Sequence, residues 1–211
     1  MSTPLALLER VVDVLSRQPS GPCKYALVGG LAASLYRRRP RVTNDVDIAL
    51  VAGTDEESRS CAENVLLGAG LELALGWIPD PSKKLARPIA LVIGRQPNDP
   101  NGATVDILLP VMPWLRQAVD RAQYLQVDFG FAKIPTIALE DLIVAKLFAL
   151  SIEPERFQDL DDLKDMFSTY PESVVGQCDY SYVASTLESL GINVAGPIVR
   201  VLPAALKRFA G

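Results

Sequence analysis

The stretch from residue 25 to residue 51 constrains this chain most. An apolar run over 25–28 meets the pair Gly29-Gly30, then a short helical segment over 31–37, a basic loop and a second apolar run over 46–51. Short apolar runs bounded by glycine and charge read as strands, and a glycine pair between a strand and a helix reads as a tight turn. Strand, glycine turn, helix and strand in that order point to an α+β layered unit.

The flanking sequence extends this pattern. Thr3 before Pro4 opens a helix in which Leu5, Leu8, Val12 and Leu15 repeat every three to four residues, reaching about Gln18 before Pro19-Ser20-Gly21-Pro22 stops it. Thr54 caps a helix that reaches Ala69, and β-like runs follow over 71–78, 88–94 and 103–109. The first half is therefore expected to be built around a mixed sheet. After Thr136 the pattern turns helical, over 138–151, 155–170, 180–190 and 197–209, the last interrupted by Pro203. The expected organisation is a mixed-sheet core over 1–135 and a helical C-terminal region over 136–211 packed on it.

Histidine is absent from the chain. That removes the serine and cysteine triads, the HExxH metalloproteases and imidazole-ligated metal sites, because imidazole is the side chain that exchanges protons near neutrality. Catalysis must rest on carboxylates, lysine, hydroxyls or hard metal ions. Cys23, Cys61 and Cys178 are odd in number and never form a CxxC pair, so neither a disulfide framework nor a zinc site is indicated, and each is expected to be a small buried residue. With 211 residues, 49% hydrophobic and 22% charged, the chain has the apolar material for a core. No apolar stretch approaches the roughly 20 residues of a membrane span, and Glu9, Arg10 and Asp13 interrupt the leucine-rich N-terminal segment. A cytoplasmic protein with no membrane partner is expected. A net charge of −4 argues against coating nucleic acid with the whole surface, and leaves room for a local basic patch.

Asp45 and Asp47 lie two apart at the start of a strand, so both carboxylates project from one face while Val46, Ile48 and Leu50 face the core. Like charges this close repel unless a cation sits between them, and oxygen ligands suit Mg²⁺. Alone, an Asp-x-Asp is commonly a solvated strand end. Gly29 and Gly30 would bring backbone N–H groups close to an anion with no Cβ in the way, as in phosphate cradles, and Ser34 one turn later could add a hydroxyl. The plainer alternative is a simple strand-to-helix turn. Asp106 is the third element: it interrupts a run otherwise fit for a buried strand, where an ionised carboxylate is costly unless a metal, cation or donor compensates it. A strand-edge aspartate facing water is the competing reading.

Together these features resemble the polymerase-beta type nucleotidyltransferase superfamily, with its glycine turn, helix, Asp-x-Asp strand and later third acid. The segment Arg41-Val-Thr43-Asn-Asp45-Val-Asp47 looks like the Arg-x-Ser/Thr-x-Asp-x-Asp signature of the AbiEii-like nucleotidyltransferases, the toxin halves of type IV toxin–antitoxin systems. That family also shows a later lysine and an Arg-x-x-x-Asp stretch. On the helix from Ala138, the residues Leu139, Ile143 and Leu150 define an apolar stripe, and Lys146 falls near its middle, at about 340° from Leu139. A lysine there either snorkels out or meets an anion, a phosphate or a carboxylate. On the next helix Leu160, Leu163 and Phe167 define the expected buried stripe, with Arg156 inside it, Asp159 on its flank and Asp161 and Asp165 pointing away; Asp162 also fits the pattern as a following acid, but its angular position leaves it closer to solvent. Lys146, Arg156 and Asp159 match the family's distal motif by type and order. The arginines 37, 38, 39 and 41 form either a solvated loop or a source of positive potential beside a polyanion site.

The resemblance implies Mg²⁺-dependent transfer of a nucleoside monophosphate from an NTP to a hydroxyl, with two metal ions on Asp45, Asp47 and Asp106. Gly29, Gly30, Ser34, Arg41, Thr43, Arg156 and Asp159 would bind nucleotide, and Lys146 would join the catalytic set by neutralising charge. It also implies the 3′ end of a tRNA as acceptor and a cognate antitoxin as partner. Two alternatives stand beside it: an antibiotic-type enzyme acting on a small-molecule hydroxyl, and a catalytically silent binding module with the same fold.

Overall fold

The computed structural model describes residues 3–17, 23–77, 89–99, 101–168 and 178–211. Its contacts divide the chain into two units, Met1–Leu31 with Val42–Ile137, and Ala32–Arg41 with Ala138–Gly211. Gln18, Ile78, Pro88 and Tyr170, the expected ends of four elements, lie outside the described residues, as does the stop over 19–22.

The first unit contains α1 (Pro4–Arg17), β1 (Lys24–Leu27), β2 (Val46–Val51), α3 (Asp55–Gly68), β3 (Glu72–Trp77), β4 (Ile89–Arg95), β5 (Val105–Leu108), α4 (Pro113–Ala122), β6 (Gln126–Asp128) and β7 (Lys133–Pro135). The helix α2 (Gly29–Tyr36) begins in this unit and ends in the other. Among the described residues, five strands form a mixed sheet in the order β1-β2-β5-β4-β3, with β2 and β5 parallel and the other neighbours antiparallel. Val46, Ile48, Leu50, Val92, Val105 and Ile107 have no exposed surface and share one face by register. The helix α3 lies against that face, since Leu66 approaches Gly94, the partner of Val105. Thr54 and Glu57 close a reciprocal capping box at the start of α3, as Thr54 leads one to expect.

The opposite face is more open beyond β2. Leu108, Leu91, Ile93 and Ala74 are half-buried there, while Arg95 and Glu72 are exposed. The sequence offers no expected element over 110–135, where the structure forms α4 and the β6–β7 hairpin. Met112 gives α4 no side-chain cap, so Pro113 at its first position is the start signal the sequence carries there.

The second unit is helical: the end of α2, then α5 (Leu139–Ile152), α6 (Phe157–Phe167) and α7 (Tyr180–Ser189), followed by 3₁₀ segments at Gly196–Arg200 and Ala204–Phe209. The single helix expected over 197–209 is thus two tight turns, because Pro203 cannot donate to a continuous ladder and sets the extended link before the second turn. An α+β chain with a mixed sheet and a helical C-terminal half is what the sequence leads one to expect. No helix among the described residues is long and apolar enough to cross a membrane. None of the three cysteines is in a disulfide, and Cys61 is buried while Cys23 and Cys178 are half-buried, which corrects the expectation that each would be interior.

Candidate active site

Strand pairing places the three acids of the first unit. Asp47 pairs directly with Asp106 across the parallel β2–β5 ladder, so the two project from the same face. Asp45 stands one residue before β2, opposite Thr104, whose backbone carbonyl accepts from the Val46 amide at 2.9 Å. The Thr104 hydroxyl lies 3.1 Å from Asp45 Oδ1 and 3.1 Å from Asp106 Oδ1. A hydroxyl has one hydrogen to donate, so it satisfies one ionised carboxylate at a time. Asp45 is exposed, whereas Asp47 and Asp106 are half-buried.

The electrostatics follow from that grouping. Burial first, then the charge of Asp47 and that of Asp45, push the Asp106 carboxyl up to about 6, against the opposing pull of the Thr104 hydrogen bond and the Arg95 charge. Among the described residues, no group of three or more His, Cys, Asp or Glu side chains is closed tightly enough to hold a metal ion as it stands. The donor set itself, carboxylate and hydroxyl oxygens on neighbouring strands, is of the hard type that Mg²⁺ takes.

Gly29 explains how α2 comes so near. Its φ is +61, and a Cβ there would fall 1.8 Å from Asp47 Oδ2 and 2.5 Å from Asp47 Cβ, so only glycine fits. The Gly30 amide donates to Asp47 Oδ2 at 3.3 Å. In this arrangement the helix N-terminus expected to meet a phosphate receives a carboxylate of the site itself. The Thr43 hydroxyl donates to the Asp45 carbonyl at 3.4 Å, tying the approach to β2.

The other expected site residues gather in the second unit. Asp162 is fully buried and accepts from Arg37 Nη1, from Arg41 Nε at 2.8 Å and from Arg41 Nη2 at 3.1 Å, and pairs with Lys146 Nζ at 2.7 Å. Burial would push its carboxyl up, but the donors Arg41, Lys146 and Arg37 outweigh it and hold the group below the usual carboxylate range. This corrects the expectation that Asp162 lies closer to solvent: three cations converge on it, which hydrophobic periodicity cannot register. Lys146, 4% exposed, also pairs with Asp159 Oδ1 at 2.7 Å, so it is buried against carboxylates. Arg156 donates to Asp159 Oδ2 at 2.6 Å but is itself exposed, not within the buried stripe. The reason is that α6 starts at Phe157, leaving Arg156 at the cap with non-helical dihedrals. Met166 is fully buried where Phe167 was expected to be, and Phe167 is half-buried. Arg37 also pairs with Asp161 at 2.8 Å, and the Arg39 amide donates to Asp165 at 3.2 Å, so much of the basic run is folded onto α6. The Ser34 hydroxyl donates to the Arg41 carbonyl at 3.4 Å.

The structure thus brings Asp45, Asp47, Asp106, Gly29, Gly30 and Thr43 together in one unit, and Ser34, Arg41, Lys146, Arg156 and Asp159 in the other. Thr104 is not singled out by the sequence reading, and Asp162 enters it only as a following acid placed closer to solvent. Parity would have found the first, since Thr104 shares a strand face with Asp106; the Asp159-x-x-Asp162 spacing on one helical face would have found the second.

No family model matches the chain, and no curated protein matches it. Solved structures with a similar course include JHP933 from Helicobacter pylori, at 16% identity and a TM-score of 0.44, covering 89% of this chain and 72% of that one. An antigenic nucleotidyltransferase-like protein from Paracoccidioides brasiliensis matches at 16% identity and a TM-score of 0.42, over 88% of this chain and 87% of that one. MenT4, a nucleotidyltransferase toxin from Mycobacterium tuberculosis, matches at 16% identity and a TM-score of 0.39, over 84% of this chain and 59% of that one.

Proposed function

We propose that the protein is a Mg²⁺-dependent nucleotidyltransferase that moves a nucleoside monophosphate from an NTP to an acceptor hydroxyl. The observation that carries this reading is the in-register pairing of Asp47 with Asp106 on parallel strands, with Asp45 joined to the pair through Thr104. Carboxylates arranged this way repel one another until cations arrive. Asp45, Asp47 and Asp106 would hold two Mg²⁺ ions, which when bound neutralise the triphosphate and stabilise charge on the entering and leaving oxygens.

The chain's own groups do the rest. Asp106 aligns the acceptor hydroxyl and helps to take its proton. The hydroxyl oxygen bonds to the α-phosphorus, the bond from that phosphorus to the β-phosphate oxygen breaks, and pyrophosphate leaves. Gly29 and Gly30 give the donor phosphates a backbone approach, and Thr43 borders the nucleotide. Asp162 holds Arg41, and Lys146, Arg156 and Asp159 complete a charge-balanced frame on α6. On the resemblance of 41–47 to the AbiEii-like signature, the acceptor is the 3′ end of a tRNA, the partner is an antitoxin and the setting is the cytoplasm.

The test is incubation with labelled NTPs, Mg²⁺ and total tRNA, using wild type and Asp47→Asn. Asn keeps the shape and removes one of the repelling charges, so label transfer is expected to vanish while the melting temperature holds or rises. A destabilised Asp47→Asn protein that still transfers label overturns the reading.

A further inference from the structure

The sheet order gives the carboxylate site two unlike sides. On the β1 side stands the N-terminus of α2, with Gly29 and Gly30 against Asp47. On the other side, next to β5, stands β4, whose residues Leu91 and Ile93 pair with Leu108 and Asp106 and share the acids' face. One step further along the ladder Arg95 comes opposite Thr104, and Arg95 is in turn paired with Glu72 on β3. A single row therefore crosses the sheet from Asp45 through Thr104 and Arg95 to Glu72.

Arg95 is exposed, and among the described residues its guanidinium forms no hydrogen bond or ion pair, not even with Glu72 across the ladder. Its charge still reaches the site, since it opposes the upward push on Asp106. Beside it Leu91, Ile93, Leu108 and Ala74 form a half-buried apolar shelf that adjoins Asp106. An apolar shelf ending in a guanidinium suits a nucleoside face followed by a phosphate, because arginine grips phosphate oxygens with a planar fork. It suits a polycationic small molecule poorly.

We propose that Arg95 holds a phosphate of the acceptor, on the side of the carboxylates opposite the glycine turn. The inference rests on the transferase reading and deepens it: the donor triphosphate lies toward Gly29 and Gly30, and the acceptor is a nucleic acid end whose last internucleotide phosphate meets Arg95 while its terminal sugar faces Asp106. The same guanidinium could in principle take a phosphate of the NTP, and the experiment separates the two sources.

The experiment uses the full chain, wild type and Arg95→Ala, with Mg²⁺. One arm measures binding of each of the four NTPs without RNA. The other measures fluorescence anisotropy of a 5′-labelled RNA hairpin with a four-nucleotide single-stranded 3′ end, without NTP. A second hairpin carries a neutral methylphosphonate at its last internucleotide linkage. Arg95→Ala is expected to weaken hairpin binding about tenfold, the scale of one charged hydrogen-bonded contact, with NTP affinity unchanged. The methylphosphonate is expected to weaken binding to wild type by a similar factor and to change little for Arg95→Ala. Equal hairpin binding by both proteins overturns the inference, and so does a loss confined to NTP affinity, which would place Arg95 on the donor. Wild type that binds NTP but not the hairpin refutes the acceptor assignment while sparing transfer, whereas wild type that binds no NTP overturns the transferase reading beneath it.

Discussion

Replacing Gly29 by alanine probes the geometry on which the site depends. At φ +61 an L side chain is strained, at a cost of about 1–2 kcal/mol. The new methyl would also lie 1.8 Å from Asp47 Oδ2, 2.3 Å from Cγ and 2.5 Å from Cβ. Rotating the Asp47 side chain moves the carboxylate away but leaves its Cβ where it is, so α2 and β2 must also separate. Such overpacking costs about 1–3 kcal/mol, which with the strain makes about 2–5 kcal/mol. For a chain of this size that corresponds to a fall of about 4–20 °C in melting temperature. The fold should survive at room temperature, but Asp47 would no longer stand opposite Asp106. Thermal melts, with Mn²⁺ binding followed by electron paramagnetic resonance as the functional readout, should show a lower midpoint and lost ion affinity. Adding Asp47→Gly to Gly29→Ala should recover part of the midpoint, because the obstructing side chain is gone, and none of the ion affinity. Should Gly29→Ala melt with wild type and bind Mn²⁺ equally, the close approach of α2 to Asp47 is refuted.

Further substitutions test the charge assignments. Asp162→Asn leaves Arg37, Arg41 and Lys146 around a neutral amide, and breaking a buried charge network of this kind costs about 3–5 kcal/mol; an unchanged urea midpoint would refute the hub. Because the native Asp162 carboxyl sits below its ordinary 3.8, its stabilisation is present above that value and is lost as pH falls below it, so the gap between wild type and Asp162→Asn should narrow in strong acid. Asp106 has the opposite sign: with a native value of about 6 against 3.8 unfolded, the native state binds more protons between them, and its contribution to stability grows as pH falls through that window. Asp106→Asn should remove that slope and melt higher than wild type at about pH 8, and a wild-type-to-variant difference that stays flat across the window contradicts the raised carboxyl.

Local rules made the sheet half readable. Apolar runs bounded by Gly, Pro and charge located β1 to β5, a Thr54 cap located α3, and alternation put Asp45 and Asp47 on one face before any contact was known. What sequence could not supply was long-range pairing: that β5 lies beside β2, bringing Asp106 to Asp47, depends on a crossover through α3, β3 and β4. On α6 the failure was one of principle. Periodicity assumes aspartates point outward, and here Asp162 shares the buried face with Leu160, Leu163 and Met166 because its countercharges, Arg37, Arg41 and Lys146, come from distant segments. The frayed start of α6 compounded this, since counting from Glu155 placed Arg156 inside the buried stripe.

Asp106 and Asp162 show why aspartates in one chain take different roles. Asp106 interrupts an apolar strand and Asp162 lies on the buried face of α6, and burial alone would raise both carboxyls. Around Asp162 both oxygens are occupied by charged donors from three side chains, and the group is held ionised at a low value. Around Asp106 the near neighbours are Asp47, Asp45 and one hydroxyl, with the Arg95 charge too weak to offset them, and the carboxyl rises instead. A buried acid that its own chain neutralises is accounted for as structure. One that its own chain leaves repelled costs stability in the isolated protein, and that deficit is removed when a cation binds or a proton is taken up, the two events that the proposed transfer chemistry would require of this position.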